Sequence, residues 1–191
     1  MNKKLTVRQV TLETNLGLRD VIEYRRARST QGVKIITQND INDALRFAAN
    51  SERAREPILI SERFDEVPQR FINCLNGESY VRPHMHVVPN QWELMSWISG
   101  EIIALIFDDK GVVTNKMLMN ENNVKLIEIP PFCYHSFVAV NTGVYLEVRN
   151  CKYIPKIDRL YSRWSPPEGS DEAKEYQKKL AIAKIGDKLG V

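Results

Sequence analysis

The chain contains three histidines, and their spacing is its most informative feature. His84 and His86 stand two apart in Tyr80-Val81-Arg82-Pro83-His84-Met85-His86, a run with strand character. Side chains two apart on a strand leave from one face, so both imidazoles can reach a common point. Glu93 follows a loop containing Pro89-Asn90 and is placed to return a carboxylate to that face. His135 opens a later strand, shortly after Glu128-Ile129-Pro130-Pro131. Three imidazoles and one carboxylate form a standard donor set for a divalent transition ion, and zinc, iron, manganese and nickel all accept it. On an octahedral ion, four protein ligands leave two positions for water or substrate, which suits a working site better than a closed structural one. A single histidine is most often an ordinary core or surface residue. Three of three in a spaced pair plus one favour a shared site.

Other side chains near these motifs are candidates for chemistry. Arg82, two before His84, is expected on the same strand face, to grip a substrate carboxylate or phosphate or to pair with an Asp or Glu. Tyr80 and Tyr134 flank the two halves of the site, and either hydroxyl is a candidate for proton transfer, although such tyrosines are commonly structural. These three are the candidate catalytic residues. Trp92 reads as packing, and Cys133 as a small buried hydrophobe. Glu147 interrupts an apolar run. It faces inward, as a partner for a ligand, if Leu146 and Val148 point out. Trp164 is expected to pin down the tail.

The elements that must position these groups are mostly short strands. Thr37 or Asn39 can cap a helix carrying Ile41, Ala44, Leu45 and Ala48 at helical spacing, with Arg53 and Arg55 near its end and Pro57 as its stop. From Arg70 to Arg149 about eight strands alternate with turns, among them Ser99-Gly100 and Asn141-Thr142-Gly143. Such spacing predicts an antiparallel sandwich or barrel, whose closed or doubled sheet hides its edges. Asp171 to Ile185 reads as a charged outer helix with Tyr176, Leu180 and Ala183 on one side. The chain therefore divides into an extension at 1–35, a helix and lead-in at 36–69, a barrel at 70–150 and a tail with helix at 151–191.

Composition narrows the class further. With 43% apolar and 27% charged residues in 191, the chain is an ordinary globular one. Its longest apolar run, Ile102 to Phe107, is too short for a membrane helix. A charged start without an apolar stretch and three cysteines (Cys74, Cys133, Cys151) without a CxxC pair lead to the expectation of a reducing cytoplasm. The net charge of +3 does not call for nucleic acid, and the cluster Arg25-Arg26-Ala27-Arg28 reads as a solvated basic face.

The pattern Gly77-x6-His84-x-His86-x6-Glu93-x6-Gly100 resembles the first cupin motif, and Pro130-x-Phe132-x-x-His135 resembles the second. Phe132 stands where glycine is usual and Ala139 where asparagine is usual. Gln69-Arg70, Asn73, Tyr80 to His86, Trp92-Glu93, Phe107-Asp108-Asp109-x-Gly111, Glu128 to Pro131 and Trp164-Ser165-Pro166 are similar to the WbuC family of cupin fold metalloproteins, over roughly residues 36 to 180. That resemblance implies a mainly β double-stranded β-helix (jelly-roll) barrel with flanking helices. It also implies one divalent ion on His84, His86, Glu93 and His135, and a context of O-antigen or capsule sugar biosynthesis. The expected function is a metal-dependent enzyme on a small polar substrate, a sugar or sugar nucleotide, working by Lewis-acid polarisation. A dioxygenase and a non-catalytic ligand-binding module are the open alternatives. A homodimer is expected, with residues 1–35 as a candidate exchanged arm.

Overall fold

A computed structural model of the chain describes residues 8–10, 22–153 and 159–190. Four short strands come first: β1 (Arg8–Val10), β2 (Ile22–Arg26), β3 (Arg28–Thr30) and β4 (Val33–Ile35). The loop read at Ser29 to Gly32 is the turn of the β3–β4 hairpin. Strand β2 pairs with its own chain's β5 (Arg55–Leu59), in parallel. The rest of the expected exchanged arm, residues 1–7 and 11–21, lies outside the described residues.

Helix α1 spans Gln38–Asn50 and begins at a capping box. The Thr37 hydroxyl accepts from the Asp40 N–H, and the Asp40 carboxylate accepts from the Thr37 N–H. Its end departs from the sequence reading. The chain turns extended at Ser51, and Pro57 lies inside β5 instead of stopping the helix. Arg53 and Arg55 lie past the helix, where both guanidiniums bind Glu168. The basic cluster is likewise absorbed within the fold. Arg25 lies over the Phe47 ring beside Glu56, Arg26 donates to the carbonyls of Ser61 and Glu62, and Arg28 pairs with Asp40. Arg25 is thus buried, while Arg28 keeps 40% of its side chain exposed.

The barrel strands are β6 (Gln69–Asn76), β7 (His84–Met85), β8 (Glu93–Phe107), β9 (Val113–Met119), β10 (Leu126–Ile129), β11 (Tyr134–Arg149) and β12 (Leu160–Tyr161). Strands β8 and β11 run antiparallel to each other for their whole length and thread both layers. Their Glu93–Ser99 and Val144–Arg149 halves join β10 and, through β6, reach β5 and β2. Their other halves join β9 on one side and, through β7, β12 on the other. This is the mainly β cupin-type barrel that the sequence predicts, with a helix on either side. The breaks expected at Ser99-Gly100 and Asn141 to Gly143 are bends within two continuous strands. Gly100 takes a left-handed φ of 75°, and a Cβ there would lie 2.2 Å from the Thr142 carbonyl oxygen. Only a residue without a side chain lets the strands cross at that bend.

Three apolar clusters sit in and around the two layers. Leu75, Met95, Ile102, Phe137 and Tyr145 help fill the barrel. Ile41 and Ala44 of α1 cover one sheet through Ile58, Ile72, Val144 and Leu146. Helix α2 (Asp171–Ile182) covers the other, its Ala173, Tyr176 and Leu180 packing with Phe107, Val138 and Trp164. Among the described residues no helix is long and apolar enough to cross a membrane.

Gly100→Ala is expected to cost about 2 kcal/mol or more of stability in urea denaturation, because the added methyl meets backbone and the φ is strained. An unchanged midpoint would show that the crossing relaxes freely.

Candidate metal centre

The four candidate ligands arrive from three directions. His84 lies on β7 and pairs across the sheet with His135 on β11. His86 lies one residue past β7, where its carbonyl accepts from the Phe132 N–H at 2.8 Å. Glu93 opens β8 opposite Arg149. One donor atom from each of the four lies within 4.8 Å of the others, and all four residues are at most 3% exposed.

Hydrogen bonds fix which nitrogen faces the centre. His84 Nδ1 lies 2.8 Å from the Arg82 carbonyl oxygen and His135 Nδ1 2.9 Å from that of Cys133. A carbonyl only accepts, so each Nδ1 carries a proton and each ring turns its Nε2 inward. Burial, followed by the neighbouring His135, holds the His84 imidazole well below its ordinary 6.5. His86 Nδ1 lies 3.1 Å from the Gln91 amide nitrogen, which also donates to Cys151 Sγ at 2.9 Å. Glu93 closes the set, with Oε1 2.5 Å from His86 Nε2 and Oε2 3.1 Å from His135 Nε2. Burial pushes this carboxyl up, but the hydrogen bonds and charge of the His135 and His86 rings outweigh it and hold the group ionised, well below 4.5.

This arrangement fits a divalent ion. His135 Nε2 is buried with no hydrogen-bond partner among the described residues, and it faces an ionised carboxylate oxygen. That contact calls for a positive charge, supplied by a proton on the ring or by an ion between the two atoms. Adjacent donors each about 2.1 Å from one ion are about 3 Å apart, as these two are.

The remaining candidates do not converge on the centre. The run from Tyr80 to His86 is irregular until His84, so the same-face rule does not carry Arg82 inward. Its guanidinium donates instead to the carbonyls of Ser162 and Ser165 at 2.9 and 3.0 Å, holding the tail against the barrel. Its hydrogen bonds among the described residues go to Ser162 and Ser165 and to no carboxylate. Tyr80 donates to the Pro166 carbonyl at 3.0 Å and packs edge-on to Tyr176, and burial raises its hydroxyl to about 12. Tyr134 packs edge-on against Trp164, which also touches Phe107. Both tyrosines belong to the cluster under α2, outside the barrel.

Glu147 does face inward, because Leu146 packs toward α1 on the opposite face. It touches no ligand imidazole: Asn73 donates to it at 2.6 Å and the Arg149 Nε lies 3.3 Å away. Burial, then the nearby Glu93 charge, raises its carboxyl to about 7. Gln91 and Arg149 went unread in the sequence. The signal was parity, since Gln91 stands two before Glu93 and Arg149 two after Glu147.

Residues 36–119 match a family model described as a domain of unknown function, DUF6016. No curated protein matches the chain. Among solved structures it is similar to the capsular polysaccharide assembling protein CapF of Staphylococcus aureus, at 14% identity and a TM-score of 0.44, over 50% of this chain and 26% of that one. It is also similar to the oxalate decarboxylase of Bacillus subtilis, at 18% and 0.44, over 56% and 27%. A third similarity is to a cupin superfamily protein of Desulfitobacterium hafniense, at 10% and 0.41, over 51% and 77%. The chain thus spans about a quarter of the length of the first two.

In metal-free protein, Glu147 is expected to make stability fall as pH rises from its ordinary 4.5 to about 7, and to level off above. The native state binds that proton more tightly than the unfolded chain over this interval. Glu147→Gln lacks the group, so relative to wild type it gains urea resistance at pH 8 over pH 5. A constant difference across that range would refute a buried, raised carboxyl.

Proposed function

We propose that the chain binds one divalent transition ion through His84, His86, Glu93 and His135. We further propose that it is an enzyme of the WbuC kind acting on a small polar substrate, a sugar or sugar nucleotide. The observation that carries the reading is the buried His135 nitrogen facing the Glu93 carboxylate 3.1 Å away, within a cluster of four donors. A divalent ion in that cluster would supply Lewis acidity toward a substrate oxygen.

The chain's own residues do the rest. The carbonyls of Arg82 and Cys133 hold two rings with Nε2 turned inward, the orientation that ligation needs. Met95, Phe137 and Tyr145 pack the barrel and keep water from its interior. Glu147 is the buried carboxyl suited to carry a proton, because burial brings it near neutrality. Tyr80, Arg82 and Tyr134 act in this reading by holding the tail and outer helix against the barrel.

Protein purified without added metal or chelator should contain about one equivalent of transition metal by elemental analysis, and His86→Ala should lose it while keeping its β-type circular dichroism. Absence of metal in wild type would sink the reading; unfolding of the variant would make the ion structural. Turnover of sugar nucleotides with and without oxygen then separates isomerisation from oxygenation, and stabilisation without turnover marks a binding module.

A further inference from the structure

The Arg149 guanidinium is buried between two carboxylates. Its Nε lies 3.3 Å from Glu147 Oε1 and 3.8 Å from Glu93 Oε1. Its central carbon sits 5.0 Å over the Phe71 ring and 6.0 Å over that of Tyr153. Asn73 donates at 2.6 Å to the other oxygen of Glu147 and so fixes that carboxylate from the neighbouring strand. The Nε is therefore nearer to Glu147 than to Glu93, within ion-pair reach of both. A shift of about half an ångström is enough to bring it as close to Glu93 as it now is to Glu147. The contested atom matters, because Glu93 Oε1 is also the oxygen that faces His86 Nε2. A guanidinium donating to it would occupy a lone pair that an ion needs.

We propose that Glu147 is a positioning residue that draws Arg149 off Glu93 and so keeps the Glu93 carboxylate available as a metal ligand. The inference rests on the metal-binding reading of the site. Glu147, Arg149 and Asn73 together set how tightly the site holds its ion. Charge is the essential property of Glu147 here. Arg149 is the competitor that it restrains, and Asn73 keeps the restraint from moving.

The test is a cycle of zinc affinities at pH 8, measured by competition with a chromophoric chelator, with cobalt absorption spectra reporting the donor set. Glu147→Gln keeps an oxygen for Asn73 but loses the charge that holds Arg149, and its zinc affinity is expected to fall on the order of tenfold or more. The double variant E147Q/R149M has no guanidinium to compete and is expected to regain most of that loss, with a wild-type cobalt spectrum. Far-UV circular dichroism checks that each variant is folded. Unchanged affinity in Glu147→Gln, or a double variant weaker than the single, would overturn the proposal, since a purely structural network loses more with each deletion. Wild type that binds neither metal would overturn the site reading itself, an outcome separable from wild-type binding with flat variants.

Discussion

Inside the barrel, the His135 Nε2 and an ionised carboxylate oxygen of Glu93 face each other across 3.1 Å, both buried. A positive charge belongs at that contact, a proton on the ring or a metal ion, and the surrounding structure holds both partners in place. The ring of His135 cannot turn its N–H inward without giving up the Cys133 carbonyl, and His84 is tied in the same way to Arg82. The carboxylate cannot retreat, because Glu93 sits at the start of a strand paired on both sides, to β10 and to β11. In the metal-binding reading, a divalent ion between the donors takes the place of that proton. The fold makes sense as a scaffold that keeps the donors aimed before any ion arrives.

The outer layers serve that rigidity. Helix α1 covers the sheet that carries Glu93 and Glu147, and α2 with Trp164 covers the sheet that carries His84 and His135. Arg82 clasps the tail through two carbonyls, and Arg55 makes a two-oxygen contact with Glu168 that ties β5 to the lead-in of α2. These long-range links hold the chain ends against the barrel. Side chains that stood near the histidines in sequence thus act on the tail.

Much of the centre was legible because strand parity and turn residues act locally. Two histidines two apart, a carboxylate after a short loop and a third histidine after a double proline were enough to name all four members of the buried cluster. The capping box of α1 was readable for the same reason, as Thr37 and Asp40 meet within one turn. What resisted reading depends on tertiary contact. The continuity of β8 and β11 was hidden because Gly100 looks like a turn, and only the approach of the Thr142 carbonyl shows that it is a crossing. Arg82 was misplaced because the strand rule was extended over residues that are not in a strand. The link from Glu147 to Asn73 spans 74 residues, a distance over which no local pattern operates.

The central claim is that one ion sits among these four side chains. An anomalous difference map, collected at the absorption edge of whichever metal copurifies with the protein, tests it most directly. A single strong peak bounded by the Nε2 atoms of His84, His86 and His135 and the carboxylate of Glu93 is the predicted result. A featureless map at that point, or a peak held by other residues, would contradict it.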